Sequence, residues 1–258
     1  MTHLAQGTLL AAAIALLPTP AWAQDPATPV RPVTVTVGAD IPTDYYFRGY
    51  IQEAEGFIVQ PYVDVGFNLT DAVSVHVGWW NSAHSADTTG TLYESDPWAS
   101  VNFTAGSWSA SALYTLYTYP SDLFEEIHEL AFTASHGSRL APSIMIATEL
   151  RNENLDNSGN TYLQAGIAPA IPAGPVTFSI PVAVGLSLKD YYTSLDEDDL
   201  ESQNEFFGYA RAGIAVSVPL SRGFEAHAGL DLLFLRDELQ WDDEAVKPVF
   251  TVGGKFSY

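Results

Sequence analysis

Ionisable side chains occur at alternate positions in several segments that are otherwise apolar or rich in small residues. Extending that alternation along the chain places one set of residues on a shared polar face: Asp44, Arg48, Asp64, His76, Glu129, Glu149, Arg211, Glu225 and Asp231. Acids and bases facing each other across a narrow water path can form a constriction that selects ions or small polar solutes. The same groups could instead pair into a network that fills the interior. The sequence leaves both interpretations open.

Asp44 and Arg48 are four residues apart on one face of the first predicted strand. Four residues along a strand span roughly 13 Å, which is too far for direct contact. We therefore expect each of these two side chains to find its partner on a neighbouring strand.

Patterns that would support catalysis are weak. His136-Gly137-Ser138 has the His-x-Ser spacing of some membrane lipid hydrolases but lies at a predicted short turn, and His84 with Asp87 or His227 with Asp231 could be imagined as base dyads. The chain contains no HExxH, GxSxG or phosphate-loop motif. It also has no cysteine, which excludes a disulfide framework, a thiolate metal site and a cysteine nucleophile. We predict no catalytic residue, metal or cofactor, and expect a protein that is not an enzyme.

Acidic residues outnumber basic ones by 31 to 10, a formal charge of −21, which argues against nucleic acid as a partner. The acidic residues concentrate in two predicted connections, 190–205 and 237–247. There Asp196, Asp198 and Asp199 could bind Ca²⁺ or Mg²⁺ and bridge to lipopolysaccharide, because hard cations prefer carboxylate oxygens. A solvated charged loop is the alternative, because the spacing matches no EF-hand.

The N-terminal residues have the pattern of a targeting segment. A short apolar core, Leu9–Leu17, precedes the small-residue motif Ala21-Trp22-Ala23. Residues 1–23 are thus predicted to be a signal peptide, residues 24–32 a Pro-rich periplasmic lead-in, and residues 33–258 the folded domain.

From residue 33 onward, apolar residues recur with the period of two that is typical of strands. In 176–189 the even positions carry Val, Phe, Ile or Leu, whereas the odd positions carry mostly Thr, Ser, Ala or Gly. Charged residues make up 16% of the chain, against roughly 25% in soluble domains. An apolar face opposite a small polar face is the pattern of a membrane barrel with lipid outside and water inside.

Twelve such segments can be delimited: 33–48, 57–69, 72–81, 92–105, 107–119, 127–136, 140–151, 160–171, 175–189, 205–219, 223–236 and 247–258. Ten or fourteen strands are the alternatives, since the fourth and fifth segments alternate least cleanly. The connections alternate between short and long along the chain. These features predict an all-β transmembrane barrel, antiparallel and up-and-down, of about twelve strands, in the bacterial outer membrane, with short periplasmic turns and longer extracellular loops.

The motif Thr43-Asp44-Tyr45-Tyr46-Phe47-Arg48-Gly49, followed by Gln52, resembles a Ser/Thr-Asp-Tyr-x-Phe-Arg-Gly element in the first strand of the TorF-type porins, a family of bacterial outer-membrane proteins. Gly78-Trp79-Trp80-Asn81-Ser82 and Tyr117-Thr118-Tyr119-Pro120 are similar as well. The resemblance covers most of 33–135 and implies an outer-membrane porin. This sequence has Gly49-Tyr50-Ile51-Gln52 where the family pattern has Gly-Ile-Ser-Gln.

We therefore expect a passive channel with a narrow polar lumen for ions or small polar solutes. The alternatives are a closed scaffold barrel that acts through its acidic extracellular loops, and an outer-membrane lipid-modifying enzyme. The expected partners are membrane lipid, lipopolysaccharide and the barrel assembly machinery, which would recognise the amphipathic last strand ending in Tyr258. The sequence does not specify an oligomeric state.

Overall fold

The computed structural model describes residues 31–86, 90–152, 159–195 and 202–258. The predicted signal peptide, most of the lead-in, and Asp196, Asp198 and Asp199 lie outside these ranges. The described strands are β1 (Val33–Pro42), β2 (Tyr45–Phe47), β3 (Tyr50–Glu53), β4 (Ile58–Asn68), β5 (Val73–His84), β6 (Leu92–Ala105), β7 (Trp108–Tyr117), β8 (Ile127–His136), β9 (Ser143–Asn152), β10 (Thr161–Ile167), β11 (Ala170–Ala173), β12 (Val176–Ser179), β13 (Val182–Lys189), β14 (Thr193–Leu195), β15 (Ser202–Asn204), β16 (Phe207–Ser221), β17 (Phe224–Leu235) and β18 (Val246–Ser257).

Twelve of these strands form the wall of a closed antiparallel barrel: β1, β4, β5, β6, β7, β8, β9, β10, β13, β16, β17 and β18. Each wall strand pairs with its neighbours in wall order, and the ring closes where β1 pairs with β18, with Thr36 opposite Ser257 and Pro42 opposite Thr251. The fold class and the number of strands are as predicted. Closure leaves no unpaired wall edge, which is the condition for a sheet to stand in lipid.

The alternation of side chains sorts the wall into two faces. Large apolar side chains on the outer face are solvent-exposed in the isolated chain, such as Val101, Phe132, Ile144 and Phe250. The intervening residues point into the barrel and are mostly small, polar or ionisable. Within the described ranges, no helix is long and apolar enough to cross a membrane.

The two ends of the barrel differ, as predicted. At one end, here called the short-turn end, successive wall strands join through tight turns, such as Gly106-Ser107 between β6 and β7 and Arg222-Gly223 between β16 and β17. The hairpin of β11 and β12 extends the wall there, with β12 pairing to β16. The opposite end, here called the long-loop end, carries the longer connections, including those on either side of β2–β3 and β14–β15.

The first predicted strand, 33–48, is longer than the strand in the structure. The wall strand β1 ends at Pro42, and the chain then leaves the wall. Residues 45–53 form a separate hairpin, in which Tyr45–Phe47 pairs with Tyr50–Glu53. The expectation that Asp44 and Arg48 share one strand face is therefore wrong, because a turn at Arg48-Gly49 directs the chain back within a few residues.

Gly78 offers a test of how tightly the inner face is packed. A Cβ at this position would lie 2.2 Å from Cζ2 of Trp98 and 2.5 Å from the carbonyl oxygen of Val63. Since the backbone contact cannot be relieved by a rotamer change, Gly78→Ala should lower the free energy of unfolding by about 1–3 kcal/mol. Urea unfolding followed by tryptophan fluorescence measures the loss. Gly137→Ala is the control, because its Cβ would approach nothing closer than 3.6 Å; equal losses in both variants would contradict the packing argument.

Candidate functional site: the lumen and its plug

The hairpin β2–β3 folds into the barrel from the long-loop end, and we call residues 45–53 the plug. Its tip is formed by Arg48, with φ of 47°, and Gly49, with φ of 89°. Two successive residues with positive φ are the signature of a tight type I′ turn. Glycine takes this conformation freely, but a non-glycine residue there is strained, so the surroundings must hold Arg48 in place.

The Arg48 guanidinium is held by a wall strand on the far side of the barrel from β1 and by the connection after β13. Its Nη1 donates to Glu129 Oε2 at 2.7 Å and its Nη2 donates to Glu129 Oε1 at 2.8 Å. Nη1 also donates to the Tyr191 hydroxyl at 3.1 Å. This two-pronged arrangement is the strongest geometry that an arginine and a carboxylate can adopt. Glu129 lies on β8, and contact across that distance requires the plug to span the lumen.

Aromatic rings enclose the same guanidinium. Its central carbon lies 4.3 Å from the ring centre of Tyr162 and 4.7 Å from that of Phe47. Such cation–π contacts gain strength when they are desolvated, and Arg48 is only 6% exposed. The Nε atom of Arg48 has no hydrogen-bond partner among the residues that the structure describes. The site therefore binds Arg48 tightly through its terminal nitrogens and its ring contacts, leaving one donor unpaired.

Tyrosine hydroxyls tie the plug to the surrounding elements. Tyr192 donates to the carbonyl oxygen of Arg48 at 2.8 Å, and Tyr50 donates to the carbonyl oxygen of Tyr191 at 3.2 Å. Burial raises the pKa of both Tyr192 and Tyr50, so each hydroxyl keeps the proton that it donates. On the other side of the plug, Tyr45 donates to Glu94 Oε2 at 2.8 Å.

Two clusters of buried side chains fill the lumen at the long-loop end. One combines plug and wall residues: Tyr45, Phe47, Ile58, Trp80, Tyr93, Tyr117, Tyr119 and Ile127. The other lies across the barrel and is formed by Ala131, Ala147, Tyr162, Tyr191, Tyr192, Tyr209, Leu233, Leu235 and Leu239. Aromatic side chains bury large areas with few rotatable bonds. This part of the lumen is therefore packed like a protein core.

The rest of the lumen, from mid-barrel to the short-turn end, is polar and partly open to solvent. Four pairs of ionisable side chains line it, with side chains between 19% and 33% exposed: Asp64–His76 at 3.0 Å, Asp40–His227 at 2.7 Å, Glu225–Lys255 at 3.1 Å and Arg211–Asp231 at 3.6 Å. All eight residues lie on β1, β4, β5, β16, β17 and β18, which adjoin one another in the wall. One side of this region therefore carries the charges.

The opposite side of the same region is lined by small neutral residues. Strands β6 to β9 present hydroxyl and amide side chains on their inner faces: Ser100, Asn102, Ser109, Ser111, Thr133, Ser135 and Ser143. These side chains are too short to reach across the lumen. The charged side consequently faces a hydroxyl-rich side with room for water between them.

The structure joins most of the predicted lumen residues into pairs, and separates two of them. Glu149 is buried and accepts from Asn152 at 3.0 Å and from Asn160 at 3.1 Å, apart from any salt bridge. Asp44 lies in the connection between β1 and β2 and not on the wall. Among the described residues, no cluster of three or more His, Asp or Glu side chains is arranged to hold a metal ion.

Sequence reasoning missed the aromatic cage around Arg48. Tyr162 and Tyr191 contribute to it, and Tyr191 belongs to a segment expected to be a solvated acidic loop. The available signal was the pair Tyr191-Tyr192 in a predicted connection. Exposed loops rarely concentrate such large side chains.

The Arg48–Glu129 pair generates a stability prediction. Glu129→Gln leaves a buried guanidinium without its counter-charge and should lower the free energy of unfolding by about 3–5 kcal/mol. Glu225→Gln breaks the solvent-exposed pair with Lys255 and should cost no more than about 1 kcal/mol. Urea unfolding of both variants in the same detergent measures the two losses. Losses of similar size would mean that the Arg48 site contributes no more than a surface ion pair.

Comparisons with solved structures agree with the barrel fold. The chain aligns with an outer membrane channel from Pseudomonas putida F1 at a TM-score of 0.53 and 11% identity, covering 90% of this chain and 97% of that one. It aligns with the NanC porin at a TM-score of 0.51 and 8% identity, covering 86% and 98%. At these identities the likeness concerns the fold alone.

Sequence comparison identifies the family. No curated protein matches the chain. The match to the family model described as bacterial protein of unknown function (Gcw_chp) covers residues 26–202. The resemblance to the TorF-type porins is not among these findings and stays a prediction. Since the family model covers more than half of its length, the chain belongs to this bacterial family.

Proposed function

We propose that this chain is a passive outer-membrane channel for ions and small polar solutes, which the plug closes in the conformation described. The long-loop end would face outside the cell and the short-turn end the periplasm. The observation that carries the proposal is the polar, partly solvated lumen between the plug and the short-turn end. A barrel whose only role was structural would gain more from filling that space with apolar side chains.

The plug is a separable element, which supports a role in opening and closing. It belongs to none of the wall strands, and within the described part of the chain its strand pairing is internal, between β2 and β3. Moving it would leave the ladder of wall hydrogen bonds intact. The plug's remaining attachments are side-chain contacts, of which the Arg48–Glu129 pair is the strongest by geometry.

The charges that line the solvated lumen favour cations. Asp40, Asp64, Glu225 and Asp231 supply four carboxylates, whereas Arg211 and Lys255 supply two permanent positive charges. With both histidines neutral, the lined region carries two net negative charges. Rings or ridges of one sign of charge bias permeation toward ions of the opposite sign.

A closed scaffold barrel is the second candidate function, and the burial of Arg48 favours it. A guanidinium at 6% exposure, bonded to a carboxylate at 4%, is a fixed structural contact. In this alternative the acidic long loops would bind a partner, and lipopolysaccharide bridged by divalent cations is the partner that their chemistry favours. We further propose that the exposed Tyr258, at the end of the last strand, is read by the assembly machinery.

Single-channel recording in planar bilayers separates the two candidates. Wild-type protein should show rare discrete conductance steps. Arg48→Ala leaves Glu129 as a buried charge without its partner while the plug is in place, at a cost of about 3–5 kcal/mol, and should raise the open probability by about 100-fold or more. Arg222→Ala, at an exposed short turn, is the control and should behave like the wild type. A folded Arg48→Ala barrel that passes no current would overturn the channel proposal and leave the scaffold function.

The charge asymmetry predicts the selectivity of the open state. In a salt gradient, the Arg48→Ala channel should show a reversal potential that indicates cation preference. Adding Asp40→Asn and Asp231→Asn removes two of the four lumen carboxylates and should move that potential toward the anion-selective side. Asp122→Asn, which alters an exposed carboxylate at the long-loop end, should leave it almost unchanged because of screening. An unchanged reversal potential in the variant that lacks the two lumen carboxylates would mean that these carboxylates do not determine the selectivity.

A further inference from the structure

A serine, a histidine and an aspartate on two adjacent wall strands form a continuous hydrogen-bonded chain on the inner face. His76 Nδ1 lies 3.0 Å from Asp64 Oδ2 and 3.1 Å from Oδ1, and His76 Nε2 lies 3.1 Å from the Ser74 hydroxyl oxygen. An ionised carboxylate only accepts hydrogen bonds, so Nδ1 must carry a proton. In the neutral imidazole, Nε2 is then free to accept the proton of the Ser74 hydroxyl.

The local sequence explains how the three side chains meet. Ser74 and His76 are two residues apart on β5 and therefore point to the same face. Gly66 lies opposite His76 on β4, where a Cβ would come within 2.6 Å of His76 Cε1 and 2.5 Å of Thr34 Oγ1. The absence of a side chain at Gly66 lets the imidazole lie against the wall and reach Asp64. The His76 side chain is 26% exposed and Ser74 is half-buried, so both can be reached from the lumen.

Two carboxamides flank the serine. Ser74 pairs with Asn68 on β4 and with Asn102 on β6, so both amides stand beside its hydroxyl on the inner face. One N–H of Asn68 is used on the carbonyl oxygen of Arg31 at 2.6 Å, and one N–H of Asn102 on the Ser100 hydroxyl at 3.1 Å. Each carboxamide carries two N–H groups. Donors beside a nucleophilic serine are what a developing oxyanion requires.

We infer that Ser74, His76 and Asp64 form a hydrolytic site in the lumen that cleaves short-chain carboxylic esters of hydrophilic alcohols. His76 takes the Ser74 proton as the serine oxygen bonds to the ester carbonyl carbon. The ester C–O bond then breaks, and the departing alcohol takes that proton from His76. Water attacks the acyl-serine with His76 again accepting a proton, which returns to Ser74 as the carboxylic acid leaves. Asp64 acts as a positioning residue, holding the imidazole in the required tautomer.

The location of the site defines the class of substrate. Ser74 and His76 face the solvated lumen, whereas the intervening Val75 and the neighbouring Val77 face outward. A bilayer lipid would meet the valines and not the serine. The residues beside Ser74 are amides and hydroxyls, which suit a small acyl group on a polar alcohol and not a long acyl chain. The ester would reach the site in water from the short-turn end.

The test is covalent labelling of the full-length protein, refolded in detergent, with a fluorophosphonate probe, followed by peptide mass spectrometry. The probe should modify Ser74, and the protein should hydrolyse p-nitrophenyl acetate. Ser74→Ala should abolish the labelling, and His76→Gln should slow it by at least about 100-fold, as expected for loss of a general base. Ser111→Ala, which removes a half-buried serine on the inner face of β7, is the matched control and should label normally.

Two substitutions of Asp64 test its role as a positioning residue. Asp64→Asn should slow labelling of Ser74, and Asp64→Glu should restore part of the rate, because a carboxylate returns near Nδ1. A heat-dependent shift in electrophoretic mobility reports folding of each variant. No labelling of folded wild-type protein, or labelling that His76→Gln leaves unchanged, would overturn the inference. The assay involves no ion current, so its outcome is independent of whether the barrel conducts.

Discussion

A guanidinium buried inside a barrel loses its hydration, and it is stable there only if protein groups replace the hydrogen bonds that water provided. Arg48 donates two hydrogen bonds to one carboxylate group and a third to a tyrosine hydroxyl, and it packs against the faces of two aromatic rings. Burying such a pair contributes little net stability, since desolvation offsets much of the attraction. Its effect is on specificity: with Glu129 on the far wall, only one path of the first connection satisfies the arginine. The plug, its strained turn and the aromatic packing around it all depend on that contact.

The lumen has a packed part and a solvated part because the contact between Arg48 and Glu129 holds the plug at one end of the barrel. Where the plug enters, the interior contains tyrosines and apolar side chains, which pack against a polypeptide segment as they would in a soluble core. Beyond the plug, none of the segments that the structure describes fills the space, and the inner residues are small or form partly exposed ion pairs. Such pairs add little stability in water. The ion pairs lie on one side of the lumen only, opposite a hydroxyl-rich side. This one-sided arrangement favours a role in interacting with ions or solutes in the lumen over a role in stabilising the wall.

The wall and its number of strands could be predicted from the sequence, because successive residues of a wall strand face lipid and water in turn. Apolar side chains therefore alternate with small or polar ones. Pairs such as Glu225 with Lys255 also follow from this logic, since both residues lie on inner faces of strands that became neighbours in the register. The path of residues 43–57 could not be obtained this way. Tyr45 to Gly49 continue the alternation of β1, and the turn at Arg48 requires a positive φ that arginine does not signal. Glu129, the partner of Arg48, lies five strands away from β1 around the ring. It was predicted as a lumen residue but not as the partner of Arg48, because that contact depends on the path of the loop and not on local periodicity.

A double-mutant cycle on Arg48 and Glu129 tests most directly whether this pair positions the plug. Arg48→Met, Glu129→Leu and the double variant would be compared by urea unfolding in the same detergent. Each single variant leaves one buried charge without a partner, whereas the double variant leaves none. The double variant should be more stable than either single variant, with a coupling energy of about 2 kcal/mol or more. Losses that simply add would show that the two side chains act independently and that their contact does not position the plug.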